Sequence, residues 1–326
     1  MLQMITGKWV SSIISTVAHF AIADHLEDGP KSVQQLADLT KTNPSALYRV
    51  LRAAASLGVF AELEHGRFAQ TPLSEVLRSK ASPCVRNMAL MIRDDFHADS
   101  WQQLAWVTET GRPASYKLYG KGMFDWLSEV PDRAVNFNNA MTDMSSLDSP
   151  AIASAYDFSG FKDIVDVAGG HGLLLAAILE RTPALHGTLL EIPYVVEQAK
   201  KSPILVPFAG RCEFASGSFF DSVPAADAYI MKHILHDWDD EKSQKILGNC
   251  RKAIRPGGKL LVVDQVIPPG NEPSFGKLMD IEMMVLPGGR ERTAEEWRAL
   301  FTASGFRLER IISTPAMQSI IEGIPV

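Results

Sequence analysis

The densest group of chemically capable side chains lies in Lys232-His233-Ile234-Leu235-His236-Asp237-Trp238-Asp239-Asp240. An imidazole in such a run can be a base, a metal ligand or a capping group. A zinc centre needs further ligands at a sensible spacing, and none accompanies His233 and His236. The polar neighbours of His236 set it apart from a satisfied core histidine. A base also needs a carboxylate to raise its pKa and fix its tautomer. Two qualify: Asp264, which ends the apolar run Lys259-Leu-Leu-Val-Val-Asp264, and Glu291, in Pro287-Gly-Gly-Arg-Glu-Arg-Thr293. The sequence leaves both open, and Glu291 also reads as an acidic charge ahead of a helix capped by Thr293.

A second group is Ile164-Val-Asp166-Val-Ala168-Gly169-Gly170-His171-Gly172, a short buried strand running into glycines and then a helix. Glycines let the backbone approach a ligand closely, and the helix start offers free amides. A dinucleotide site would space its glycines as Gly-x-Gly-x-x-Gly, which is not the spacing here. Asp166 would also repel a pyrophosphate, whereas it suits the ammonium of an amino-acid ligand. This favours S-adenosylmethionine over a nicotinamide cofactor. Glu191 closes the next strand, about twenty residues on, where a carboxylate can take both hydroxyls of a ribose; a solvated strand-end acid is the plainer alternative. Ser218, after Gly217, is a weaker adenine candidate. A sulfonium methyl is already activated, so the acceptor oxygen needs only to lose its proton. A phenol titrates near 10 and a free histidine near 6.5, a gap of about 3.5 units or about 5 kcal/mol for transfer before attack.

The elements that must position these groups are legible as patterns. From residue 161 strands alternate with helices: strands at 164–168, 187–191, 228–231 and 259–264, helices at 173–179 and 241–254. This is a doubly wound, Rossmann-like α/β sheet, which binds ligands along the carboxyl edge of its strands. A helix from Thr293, Gly305 and a strand pair close the chain. Near the start, Ser32 with Gln35 reads as a capping box, Leu47, Val50, Leu51 and Ala54 share one helical face, and a hairpin turns at His65-Gly66. Helix-turn-helix plus hairpin is a winged-helix pattern. Residues 85–150 read as helical and aromatic-rich, with Ser149-Pro150 as a break. The expected organisation is a winged-helix-like dimerisation domain over 1–100, a helical pocket-lining linker over 101–150 and a cofactor-binding catalytic domain over 151–326.

Other classes recede. The formal net charge of −6 gives no general reason to bind nucleic acid. The would-be recognition helix offers only Arg49 and Arg52 as bases, too few for groove reading. The apolar stretch Trp9–Leu26 is interrupted by His19, Asp24 and His25, so no membrane span is expected. Cys84, Cys212 and Cys250 form neither a metal knuckle nor a disulfide framework, and a cytoplasmic protein is expected. The early apolar helix (Val10, Ile13, Ile14, Val17, Phe20, Ala21) serves either a dimer surface or intrachain core.

Taken together, the winged-helix region, the glycine loop, the His236-Asp237-Trp238 segment and Gly-Gly-Arg-Glu-Arg-Thr resemble the S-adenosylmethionine-dependent O-methyltransferases of the caffeate, hydroxyindole and bacterial antibiotic type, over nearly the whole chain. The resemblance implies methylation of a hydroxyl on a small aromatic or polyketide-like acceptor, with His236 as base or acceptor-orienting residue beside Asp264 and Glu291. It implies cofactor contacts from Ser145, Asp166, Gly169, Gly170, Gly172, Glu191, Gly217, Ser218, Phe219, Lys232 and Trp238. Among these Glu191 takes the ribose, Trp238 packs beside the adenine, and Lys232 and Ser145 lie near the cofactor carboxylate. It places Met141, Asp237, Asp280, Met283 and Met284 on the acceptor, requires no metal, and implies a homodimer. Three positions depart from the family: Ala168 replaces a loop glycine, Ser218 an adenine-contacting aspartate, and Asp264 is shorter than the glutamate of plant members. A relative carrying out N- or C-methylation, hydroxylation, decarboxylation or cyclisation is the rival; a winged-helix regulator with a degenerate sensor is the more distant one.

Overall fold

The computed structural model describes residues 1–326. The chain forms two compact units, residues 1–99 with 130–147 and residues 100–129 with 148–326.

In the first unit the short helices form where the sequence caps them. Ser32 Oγ accepts from the Gln35 N–H while the Gln35 side chain accepts from the Ser32 N–H, starting Val33–Thr40. Asn43 caps Pro44–Ser56, whose buried Leu47, Leu51 and Ala54 fall on one face. Strands Phe60–Leu63 and Arg67–Gln70 pair across His65-Gly66, and Lys31–Ser32 adds a third strand, which completes the wing. Ile22, Leu26, Leu36, Leu51, Phe60 and Phe68 form the core. The helix Gly7–His19 packs into the core by its later turns and leaves its first turn exposed. Val17 and Ala18 are core, whereas Trp9 is 69% exposed, beside uncovered Leu2, Met4 and Ile5.

The second unit is built on a seven-stranded sheet. Its order is Phe306–Ser313, Ser319–Pro325, Ile254–Asp264, Ala226–Lys232, Asp163–Val167, His186–Glu191, Cys212–Ser216. The last five are mutually parallel, and Ser319–Pro325 runs antiparallel to both neighbours. From Asp163–Val167 the chain winds outward to one edge, then returns to Ala226–Lys232 and winds the other way. The strand order therefore reverses between these two strands, which opens a crevice at their carboxyl ends. Alternation sends Ile164 to one buried face with Leu175, Ile178 and Leu189, and Val165 and Val167 to the other with Tyr229, Leu247 and Trp297. No helix is long and apolar enough to cross a membrane.

Two expectations are corrected. Pro150 does not end a helix; Pro131–Ser154 runs through it. A proline there forgoes one hydrogen bond, to the carbonyl four residues back, and the remaining turns hold the helix. Residues 101–150, expected as one linker, are divided. Short helices at Leu104–Thr110, Ala114–Tyr119 and Met123–Glu129, interrupted at Gly111 and Gly120, belong to the sheet unit. Residues 130–147 belong to the first unit, where Asp143 accepts from the Asn87 N–H (2.6 Å) and Arg133 pairs with Asp94.

Candidate active site

Asp163–Val167 ends in a loop in which three of five residues take left-handed backbone: Ala168 (φ 56°), Gly170 (φ 60°) and Gly172 (φ 84°). A side chain at Gly169 would overlap the Asp166 carboxylate and Leu189, and one at Gly172 would overlap Leu205. The loop is therefore bare main chain folded over Asp166. Glu191 closes it from the next strand: Oε1 accepts the Gly170 N–H (2.9 Å) and Oε2 the Ile192 N–H (3.0 Å). Gly217 N–H donates to the Glu191 carbonyl (3.0 Å). Asp166 is buried and its Oδ2 has no hydrogen-bond partner. Burial pushes Asp166 up to about 7, against the pull of the Lys232 ammonium, and burial likewise raises Glu191 to about 7. Two desolvated carboxylates and a partnerless oxygen suit a ligand that brings N–H and O–H donors or a positive charge, and disfavour a phosphate. That is the donor set of an amino-acid nucleoside. Lys232, at the end of the adjacent strand, is held by Asp148 (3.0 Å), both side chains being buried.

Beyond Lys232 the chain turns back sharply. His233 takes φ 56° and Leu235–Asp237 forms one 3₁₀ turn. This places His236 in a buried position at the carboxyl edge of the sheet. Its Nδ1 lies 2.8 Å from Glu291 Oε1 and 3.7 Å from Asp264 Oδ1; its Nε2 lies 3.7 Å from Asp237 Oδ1. Of the two open carboxylate partners, Glu291 is the one in hydrogen-bond contact. A carboxylate only accepts, so Nδ1 carries a proton, and in the neutral ring it is Nε2 that has the lone pair. Burial by itself would lower the pKa of His236, but Asp264, Glu291 and then Asp237 more than reverse this, to about 10. Asp264 is pushed upward by burial and by Glu291, with His236 and Arg292 acting in the opposite direction. Neither Asp264 oxygen, nor Glu291 Oε2, has a hydrogen-bond partner.

His236, Asp264 and Glu291 present ligand atoms within 4.8 Å of one another, which is a metal-capable group. Two ligands of one tetrahedral zinc, each about 2.0–2.1 Å from it, stand about 3.3 Å apart. The Nδ1–Oε1 separation of 2.8 Å is instead that of a direct hydrogen bond.

The segment 287–293 sets this arrangement. Gly289 lies against the carbonyl of His236, where no side chain fits, and the Arg290 N–H donates to that carbonyl (2.8 Å). The Glu291 N–H donates to Asp280 Oδ1 (2.9 Å). Asp280, expected on the acceptor, thus holds the main chain beneath Glu291. Met283 is buried and Met284 half-buried on the same helix, Phe275–Val285. Trp238 sits among Phe124 (ring centroids 5.2 Å apart), Phe220 (5.0 Å) and Phe219 (6.3 Å). Ser218 Oγ accepts the Phe220 N–H (3.2 Å) and so shapes that turn.

The structure thus brings together the glycine loop, Glu191, Lys232, His236, Asp237, Trp238, Asp264, Asp280 and Glu291 within one unit, whereas Met141 and Ser145 belong to the other. Sequence reasoning missed Asp148, Arg292 and Phe124. Arg292 stood beside Glu291 in a singled-out motif, and its adjacency was the available signal. Asp148 and Phe124 gave none, because their roles depend on partners 84 and 114 residues away.

Known proteins resemble this chain over its whole length. An O-methyltransferase domain model matches residues 101–307, and an O-methyltransferase dimerisation domain model matches residues 2–80. A phenazine O-methyltransferase of Lysobacter antibioticus is 42% identical over 327 residues, covering 100% of this chain and 96% of its own length. The solved structure of LaPhzM superposes with a TM-score of 0.95 at 42% identity, over 100% of this chain and 98% of that one. CalO1, a methyltransferase in calicheamicin biosynthesis solved with S-adenosylhomocysteine bound, gives a TM-score of 0.87 at 35% identity, over 100% and 97%.

The left-handed Ala168 generates a stability prediction. An alanine there carries a steric cost of about 1–2 kcal/mol that glycine avoids, offset in part by glycine's larger unfolded-state entropy. Ala168→Gly should therefore stabilise the protein by about 0.5–1 kcal/mol, read as a higher melting temperature or denaturant midpoint. A lower midpoint would show that the Ala168 methyl makes packing contacts worth more than the strain.

Proposed function

The chain belongs to the aromatic S-adenosylmethionine-dependent O-methyltransferase family, and on that premise we propose that it methylates a phenolic hydroxyl of a small aromatic or polyketide-type molecule, with His236 taking the hydroxyl proton. The observation that carries this reading is the buried His236–Glu291 contact at the strand-order reversal, next to a glycine loop closed by Glu191. The cofactor, when bound, supplies a methyl group already activated on a sulfonium. In this reading the residues that hold it are Asp166 with the main chain of Gly169, Gly170 and Gly172, Glu191, Lys232, and the Gly217–Phe219 turn with Trp238.

The remaining chemistry falls to the chain. Glu291 accepts from Nδ1–H of His236, so that in the neutral imidazole the Nε2 lone pair is the one offered to the acceptor hydroxyl. Asp237, Asp264 and Glu291 stabilise the imidazolium that forms. Their combined effect brings His236 to about 10, level with a phenol near 10. Handing a phenol's proton to the neutral imidazole is then close to thermoneutral, where an ordinary histidine would face roughly 5 kcal/mol, and near pH 7 the neutral imidazole is the minor form. Met283 and Met284 supply polarisable apolar surface for a flat ring.

The same reading includes a homodimer formed through the uncovered apolar residues Leu2, Met4, Ile5 and Trp9, within the region matched by the dimerisation model. The three unpaired cysteines support a reducing cytoplasmic setting.

Three measurements test the reading. Calorimetric titration with S-adenosylmethionine and S-adenosylhomocysteine, followed by turnover on a panel of phenols, should show binding and methyl transfer. His236→Ala should then lower turnover about 100-fold with cofactor affinity retained; near-normal turnover of that variant would remove the base.

The raised pKa also fixes a pH profile. Near neutrality both His236 and a phenol are protonated, and the reacting pair holds one proton fewer. Log kcat/KM should therefore climb with a slope near one between about pH 7 and 9. Glu291→Gln removes one of the groups that raise His236, so its profile should level off at lower pH and at a lower maximum. A flat wild-type profile over this range would contradict proton transfer to His236.

Light scattering should give twice the chain mass of 35.8 kDa for the wild type. The double variant Ile5→Glu, Trp9→Glu should give a single chain mass with circular dichroism unchanged, and an unaltered dimer would place the interface elsewhere.

A further inference from the structure

The Arg292 guanidinium is only 1% exposed, yet no role discussed so far uses it. Nη1 donates to the Leu235 carbonyl (3.0 Å) and Nη2 to the Trp238 carbonyl (3.0 Å). Nε and Nη2 both donate to Asp240 Oδ1 (3.1 and 2.8 Å), and Nη2 also reaches Ser243 Oγ (3.3 Å). The Trp297 ring lies against the guanidinium, its centroid 5.2 Å from the guanidinium carbon.

The two carbonyls it binds bracket the turn that carries His236. That turn has weak internal support, since its own hydrogen bonds, Asp237 N–H to the Ile234 carbonyl and Trp238 N–H to the Leu235 carbonyl, span 3.1 and 3.3 Å. A single 3₁₀ turn holds its shape poorly without outside contacts. Arg292 follows Glu291 directly. Glu291 fixes the imidazole of His236, and Arg292 fixes the main chain on either side of it. A planar fork with several donors can span two carbonyls and a carboxylate together, which a lysine ammonium cannot.

We propose that Arg292 is a positioning residue for methyl transfer, acting through His236 by holding the Leu235–Trp238 turn in register with Glu291. This rests on the reading of His236 as the group that handles the acceptor proton. The charged and titratable groups around His236 are Asp237 on its own turn, Asp264 at the strand end, Glu291 with Asp280 beneath it, Lys232, and His233, whose ring stacks on it at 5.0 Å. Arg292 adds a fixed positive charge that favours ionised Asp264.

The test is Arg292→Lys in two backgrounds, wild type and His236→Ala, with kcat, KM and S-adenosylhomocysteine affinity measured in each. A misplacement of about 1 Å costs about 100-fold in rate. The expected result is a kcat loss of about 10- to 100-fold in the wild-type background, with cofactor affinity within about 3-fold. In the His236→Ala background, Arg292→Lys should cause no further loss. Equal losses in both backgrounds would mean a general structural role and overturn the proposal. So would full activity of Arg292→Lys alongside a disabled His236→Ala. Near-normal turnover of His236→Ala by itself would overturn the base reading and this proposal with it, and that variant alone identifies the case. Should Arg292→Lys not accumulate as folded protein, Asp240→Asn, which weakens the same anchor from its exposed side, carries the comparison. Loss confined to the wild-type background supports the proposal, and loss in both or neither overturns it.

Discussion

The reactive edge of the sheet depends on one docking event, in which residues 289–292 lie against the turn 235–238. Arg290 donates to the His236 carbonyl, Glu291 takes the imidazole, and Gly289 is bare because any side chain would occupy the place of that carbonyl. The two segments are about 55 residues apart in the chain. Between them lie a helix, the long strand Ile254–Asp264 and the helix Phe275–Val285, so all of these must be in place before the imidazole is held. The geometry around His236 is therefore a property of the finished sheet unit.

Charge gives this edge its character. Asp166, Asp237 and Asp264 are all desolvated, in or just beyond the carboxyl ends of neighbouring strands. In water each would be an ordinary acid. Here burial opposes ionisation, and the nearby cations, Lys232 toward Asp166 and His236 toward Asp264 and Asp237, pull the other way. Buried carboxylates without a full set of donors lower stability, and they concentrate where a proton or a cation must be handled. The partnerless oxygens of Asp166 and Asp264 mark the two ends of this working surface.

Much of this was legible in the sequence, and what was missed follows a pattern. The alternation of strands and helices identified the doubly wound sheet, because a parallel strand buried on both faces must be a short apolar run. Ser32 with Gln35, and Thr293, identified helix starts because capping is local. Glu291 and Asp264 could not be ranked from the sequence, since 2.8 against 3.7 Å depends on how a loop returns to the sheet. Pro150 misled for the opposite reason. A local rule expected a break, whereas the long helix Pro131–Ser154 runs one turn past the proline and forgoes one hydrogen bond. Arg292 shows the limit most plainly: its place beside Glu291 marked the segment, but not that its charged side chain would be enclosed by main-chain carbonyls.

The helix Gly7–His19 has a further consequence. Its later residues are core and its first turn is bare. In the proposed homodimer an element of this kind serves both folding and association, so the stability of the winged unit would follow the law of mass action: a rise in protein concentration would cover more of the bare end and stabilise the fold that presents it. The sheet unit packs its two core clusters against the faces of its own strands. On that reading the winged unit is the part of the chain whose stability answers to how much protein the solution holds.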